Sequence, residues 1–134
     1  MNTNYQDLAN ALLRLAFGVM LVAHGLLKWL VFGLQGAAGF FESVGFPGWL
    51  AYPVTFGEII GGVLLIIGWQ IRPVLIAMLP ILLGALWTHA SNGWVFSNPN
   101  GGWEYPAFLV LLAIVLFLGG PDRWTLDGRR HKLS

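Results

Sequence analysis

The chain has 134 residues, 57% of them hydrophobic and 10% charged, where a soluble domain has roughly 45–50% and about 25%, so an ordinary soluble fold is excluded. The net charge of +1 offers no concentrated basic patch outside the C-terminal tail, and nucleic acid is not an expected partner. Absence of cysteine excludes disulfides, thiolate metal ligands and dithiol relays from the chain itself.

One domain, 1–134, is expected, because four spans of about 20 residues and short connections use nearly all of this length. The N-terminal MNTNYQDLANALLRL is a poor signal peptide: its leading segment has no positive charge and Arg14 interrupts the apolar stretch. It is expected to stay in the mature protein. The first span is predicted over about 8–30 and carries Arg14, His24 and Lys28. VFGLQGAAGFFESVGFPGW follows, with Phe40, Phe41, Val44 and Phe46 interleaved among Gly, Ser and Glu42, which predicts a short interfacial helix ended by Gly45 and Pro47. The second span, about 49–69, contains Glu58; the third, about 73–89, contains Pro80 and ends at His89. SNGWVFSNPNGGW is predicted as an irregular turn at headgroup level, and Glu104 precedes a fourth span over about 105–118. The tail, 121–134, reads as a basic membrane-proximal flank.

The expected fold is therefore all-α: an integral membrane four-helix bundle with a short interfacial helix between the first and second spans. Arg72, Arg123, Arg129, Arg130 and Lys132 fall on the side of the tail, with only Lys28 opposite, so the positive-inside rule puts both termini in the cytoplasm. Trp29, Trp49, Trp87, Trp94 and Trp103 fall near the outer boundary, and Trp69 and Trp124 near the inner one. Gly57 and Gly61 make a GxxxG pair on the second span, and Gly18 with Gly25 marks a thin face on the first, both expected at close helix contacts.

Ionisable groups in the spans need partners, since a charge at the bilayer centre costs at least about 2.5 kcal/mol even on the lenient insertion scale. His24, Glu58, His89 and Glu104 are expected to share a polar pocket in the outer leaflet. Glu58, nearest the midplane, should be protonated unless a cation or strong donor stands beside it, and an ion pair with Arg14 or a contact with His24 is the structural alternative. His24 is read either as a proton carrier or as a neutral imidazole bonded between helices. Lys28, one turn further on the same face, either joins the pocket or snorkels to the headgroups. Arg14 has the choice of Glu58 or anionic lipid. Two histidines and two carboxylates would suit iron, zinc or copper, but none of the compact ligand spacings is present and no metal site is predicted. No glycine-rich phosphate loop and no haem attachment motif occurs, so neither a nucleotide nor covalent haem is expected.

LLRLAFGVMLVAHGLLKW and FGLQGAAGFFESVGFPGWLAYPVTFGEIIGGVLLIIGWQIRP, then His89, NGWVFSNPNGGWEYP and LFLGGPDRWTLD, resemble the DoxX family of small four-helix membrane proteins over about residues 8–128. The family is named for a subunit of a thiosulfate:quinone oxidoreductase, and the resemblance implies redox chemistry in the bacterial cytoplasmic membrane beside other subunits of a membrane redox complex. It carries Arg14, His24, Lys28, Glu58, His89 and Glu104 as motif positions. The leading expectation is a quinone-linked oxidoreductase subunit in which His24 and Glu58 handle protons. Arg14, Lys28, His89 and Glu104 would help bind the quinone head, and Trp87 and Trp103 would flank the ring. The competing expectations are a non-catalytic anchor or accessory subunit of a respiratory complex, and a small-solute or proton pathway.

Overall fold

The computed structural model describes residues 5–95, 97–99 and 101–131, with only the backbone described for Arg130 and His131. Lys132, counted above in the basic tail, lies outside the described residues. The chain is all-α. Helix α1 (Tyr5–Leu26) runs into a π-helical turn (Leu27–Val31), α2 (Leu34–Ser43) follows, and a 3₁₀ turn (Gly48–Leu50) leads into α3 (Ala51–Ile67). Helices α4 (Ile71–His89), α5 (Glu104–Gly119) and a terminal turn α6 (Leu126–His131) complete it. Among the described residues, three helical stretches are long and apolar enough to cross a membrane: Tyr5–Val31, Gly48–Ile67 and Ile71–Asn92. Helix α5, with 16 residues, is about 24 Å long at about 1.5 Å per residue, short of the usual span.

The four long helices run up, down, up and down in a closed ring of neighbours. α1 packs most extensively on α3, α3 on α4, α4 on α5, and α5 returns to α1. The core between them is Phe17, Leu21, Leu65, Leu75, Met78, Leu82, Leu109 and Leu116. The outward faces are equally apolar: Leu12, Val19, Ile60, Ile76, Leu83, Leu111 and Leu118 are all exposed. Such a surface would be intolerable in water and is what a bilayer requires. α2 lies across one end, between α1 and α3, as the interfacial helix expected there. It stops where Gly45 takes φ +98°.

The tightest helix contact is not at the predicted GxxxG pair. Gly18 on α1 faces Gly62 on α3, and a Cβ added to Gly62 would lie 2.7 Å from the Gly18 carbonyl oxygen. Gly25, one of the two glycines expected on a thin face of α1, meets Ile59 and the Thr55 carbonyl oxygen in the same interface. Gly57 and Gly61 instead turn toward α4, where side chains of Met78 and Ile81 fill the space. Backbone-to-backbone approach therefore occurs between α1 and α3, and side chain-to-glycine packing between α3 and α4.

The opposite end is closed by the segment after α5. Arg14 is 3% exposed. Its Nε donates to Asp122 Oδ2 at 2.8 Å and its Nη2 to Oδ1 at 3.3 Å. Its Nη1 donates to the carbonyl oxygens of Leu65 and Ile66 at 2.9 and 2.6 Å, at the C-terminal end of α3. One guanidinium thereby neutralises a buried carboxylate and binds carbonyls exposed at the helix end, the Leu65 oxygen alongside the Gly68 N–H and the Ile66 oxygen. Asp127 does the converse for α4: its carboxylate accepts the backbone N–H groups of Gln70 and Ile71 at 3.0 and 2.9 Å. This holds Gln70 in a left-handed conformation, φ +53°, and caps the helix from a distance. Arg72 Nε donates to the Phe117 carbonyl oxygen at 3.1 Å, near the C-terminal end of α5. The segment read as a basic membrane-proximal flank also serves, through Asp122, Thr125 and Asp127, as a structural clasp.

Candidate functional site

A cavity of about 760 Å³ lies at the α2 end, bounded by α2, α3, α4 and the π-helical turn. Its walls are mostly apolar, including Phe32, Phe40, Phe41, Val54 and Ile81, and its ionisable groups are Lys28, Glu58 and His89. Each is positioned by a specific local feature. Lys28 sits in the π-helical turn, where the Phe32 N–H donates to the Leu27 carbonyl oxygen at 3.1 Å. A π turn widens the helix and shifts side chains off the α register, an arrangement that recurs at functional sites. Glu58 lies on the buried face of α3, and His89 ends α4 after Pro80, whose missing N–H leaves the ladder one bond short.

Lys28 Nζ donates to Glu58 Oε1 at 2.6 Å, with the two side chains 26% and 7% exposed. Burial without compensation would drive a carboxyl group to its neutral form, and the ammonium supplies the compensating charge. The structural alternative for Glu58 was an ion pair with Arg14 or His24; the structure pairs it with Lys28. Glu58 Oε2 is buried with no hydrogen-bond partner in the structure. The pair is thus only half satisfied, which is costly in a low-dielectric setting unless another group completes it.

His89 Nδ1 bonds the Ala85 carbonyl oxygen at 2.7 Å. A carbonyl oxygen can only accept, so Nδ1 carries the proton, and in the neutral form of the ring Nε2 is an acceptor. Thr88 also lines the cavity, and its hydroxyl donates to the Gly84 carbonyl oxygen at 2.9 Å. Lys28 is therefore the ionic donor of the cavity, with Glu58 and the Thr88 oxygen on the accepting side, joined by Nε2 of His89 when the ring is neutral.

The remaining predicted residues divide. His24 does not line the cavity. Its Nδ1 bonds the Met20 carbonyl oxygen at 2.8 Å, and its Nε2 lies 3.4 Å from the Tyr105 hydroxyl on α5. Tyr105 also contacts the Met20 sulfur. This matches the reading of His24 as an imidazole bonded between helices. Arg14 is at the far end of the bundle, bound to Asp122. Glu104 opens α5, outside the cavity lining. Trp103 is edge-to-face with Trp94, centroids 4.5 Å apart. Trp87, edge-to-face with Phe46 at 5.2 Å, lines a separate, outer cavity. So Lys28, Glu58 and His89 come together, while Arg14, His24, Trp103 and Glu104 do not join them. Sequence reasoning missed Thr88 and the role of α2 as a wall. The phenylalanines of FGLQGAAGFFESVGF were a signal for the latter, since an interfacial helix turns its apolar face toward whatever lies beneath it.

The DoxX family model matches residues 9–91, more than half of the chain and all of α1 to α4 except the first four residues of α1. The chain belongs to the DoxX family. A Bacillus subtilis (strain 168) protein named "Putative oxidoreductase CatD" is 33% identical over 127 residues, covering 95% of this chain and 90% of that protein. No solved structure matches the chain significantly. The DoxX match spans every residue that lines the Lys28–Glu58 cavity and stops short of the Asp122–Asp127 clasp.

Proposed function

We propose that this DoxX protein is the membrane subunit of a quinone-linked oxidoreductase, with the head of a quinone in the Lys28–Glu58 cavity. The observation that carries the reading is a half-satisfied buried ion pair on the wall of a large apolar cavity. Ligand sites commonly have about 300–1,000 Å³, mostly apolar walls and a few convergent polar groups, and this cavity fits that description. A quinone head has a flat apolar ring and two opposed oxygens. Lys28 can donate to a carbonyl oxygen, and His89 Nε2 can accept from a hydroxyl of the reduced form. His89 thereby replaces His24 in the proton-handling role expected beside Glu58. A quinone supplies two-electron, two-proton chemistry when bound. The chain's own residues orient the head, exclude water through Phe40, Phe41 and Phe46, and hold or release protons at Glu58 and His89.

The relative's name supports an oxidoreductase role, and the family supports a setting among partner subunits; because the sequence contains no motif for a resident redox centre, a partner subunit or a second small substrate must supply or accept the electrons. The clustering of Arg72, Arg123 and Arg129 at the clasp end supports a bacterial inner-membrane placement with both termini cytoplasmic and the cavity toward the outer leaflet.

The Glu58→Gln substitution tests the reading. In membranes with normal amounts of protein, quinone-dependent turnover is expected to fall at least about 100-fold, the usual scale for losing a positioned acid or base. Unchanged turnover would instead favour a non-catalytic anchoring subunit, in which polar residues only knit the helices as Arg14 does.

A further inference from the structure

We propose that a second cavity, outside the first, binds a small uncharged molecule that donates hydrogen bonds, and that it excludes oxyanions. This cavity, of about 620 Å³, is lined by α2, the end of α4 and the 3₁₀ turn Ala90–Asn92. It shares Phe40, Val44 and Thr88 with the Lys28–Glu58 cavity, so the two adjoin.

The chemistry of the occupant follows from the hydrogens already committed. The Ser43 hydroxyl donates to the Phe40 carbonyl oxygen at 2.6 Å, and the Thr88 hydroxyl to the Gly84 carbonyl oxygen at 2.9 Å. Each hydroxyl proton is spent, and the lone pairs remain. At these two oxygens a ligand can only donate, while Ser91 and Asn92 on the same wall can donate as well as accept. Among the described residues, no Lys, Arg, His, Asp or Glu lines the cavity, and the neighbouring ammonium, Lys28, is already neutralised by Glu58. An oxyanion would lose its hydration and find no countercharge. The exposed indole of Trp87 and the ring of Phe40 add flat apolar surface, which suits a small hydroxylated ring or chain. As electron donor, a role that rests on the quinone reading, the occupant is a neutral reductant XH2. The balance is XH2 + Q → X + QH2, with both electrons and both protons passing to the quinone.

The binding claim is tested without turnover, in purified quinone-free protein, through Trp87 fluorescence. The probes are hydroquinone, a neutral double donor, and thiosulfate, an oxyanion. Hydroquinone is expected to quench saturably in the wild type and equally in Gly84→Leu, which fills only the inner cavity. The Trp87→Phe substitution should remove the signal. Ser43→Leu or Ser91→Leu, each at an exposed position on the outer cavity wall, should weaken binding at least about tenfold, equivalent to 1.4 kcal/mol. Thiosulfate should give no saturable change. Hydroquinone binding as tight in Ser43→Leu and Ser91→Leu as in the wild type, or saturable thiosulfate quenching in the wild type, would overturn the proposal. Either result would leave the inner quinone site to its own test.

Discussion

Two charged pairs, one buried and one part-buried, divide the labour in this molecule. Arg14 engages Asp122 and two carbonyl oxygens, leaving little of its donor capacity for a ligand. Lys28–Glu58 is made through one carboxylate oxygen only and sits on a cavity. The first should therefore govern stability and the second function. Arg14→Met is expected to destabilise the protein by about 3–5 kcal/mol, because Asp122 is left buried and unpaired. The double variant Arg14→Met/Asp122→Leu should recover part of that loss. Thermal unfolding in detergent measures both, and equal stability of Arg14→Met and wild type would contradict the assignment. That Arg14 needed a partner was legible in its position within an apolar span. The identity of the partner was not, since Asp122 lies 108 residues away and becomes a neighbour only when α5 returns to the end where α1 begins. Lys28 stood between two readings for a similar reason: snorkelling and pairing use the same flexible arm, and the depth of Glu58 beneath it is settled only by how α1 and α3 cross.

At the scale of elements, the helices were legible because span length and apolarity are dictated by the bilayer, and α2 because its aromatic residues alternate with small ones. The helix contacts were less so. GxxxG spacing marks where a backbone approach is permitted, and here Gly18–Gly62 uses that permission while Gly57 and Gly61 face side chains. Gly62→Ala is expected to force α1 and α3 apart and to lower the melting temperature clearly. Gly57→Ala, whose Cβ would meet its nearest neighbour at 3.7 Å, should be neutral or slightly stabilising, helped by the helix preference for alanine of about 1 kcal/mol. A reversed order would mean that the α3–α4 contact is the tight one. The clasp makes a second claim at this scale. Asp127→Ala should cost about 1–2 kcal/mol through loss of the α4 cap, with hydrogen exchange rising first at Gln70 and Ile71. Unaltered exchange there would show that the cap is not needed.

For the whole molecule, the bundle has two ends with different duties. One is tied by Arg14, Arg72, Asp122 and Asp127; the other holds α2, two adjoining cavities and the Lys28–Glu58–His89 group. The placement of ionisable residues in one half was readable from their depths in the spans. Their division between a cavity and the helix-bridging pair His24–Tyr105 was not, because it depends on which way each helix is rotated. The direct test of the central claim is the quinone content of purified protein, measured by mass spectrometry in wild type and in Gly84→Leu. A Cβ at Gly84 meets only Phe46, at 4.0 Å, so leucine fills the Lys28–Glu58 cavity without disturbing the backbone. Bound quinone is predicted in the wild type, with at least about tenfold less in Gly84→Leu at equal stability. Absence of quinone from wild type, or equal amounts in both, would contradict the account.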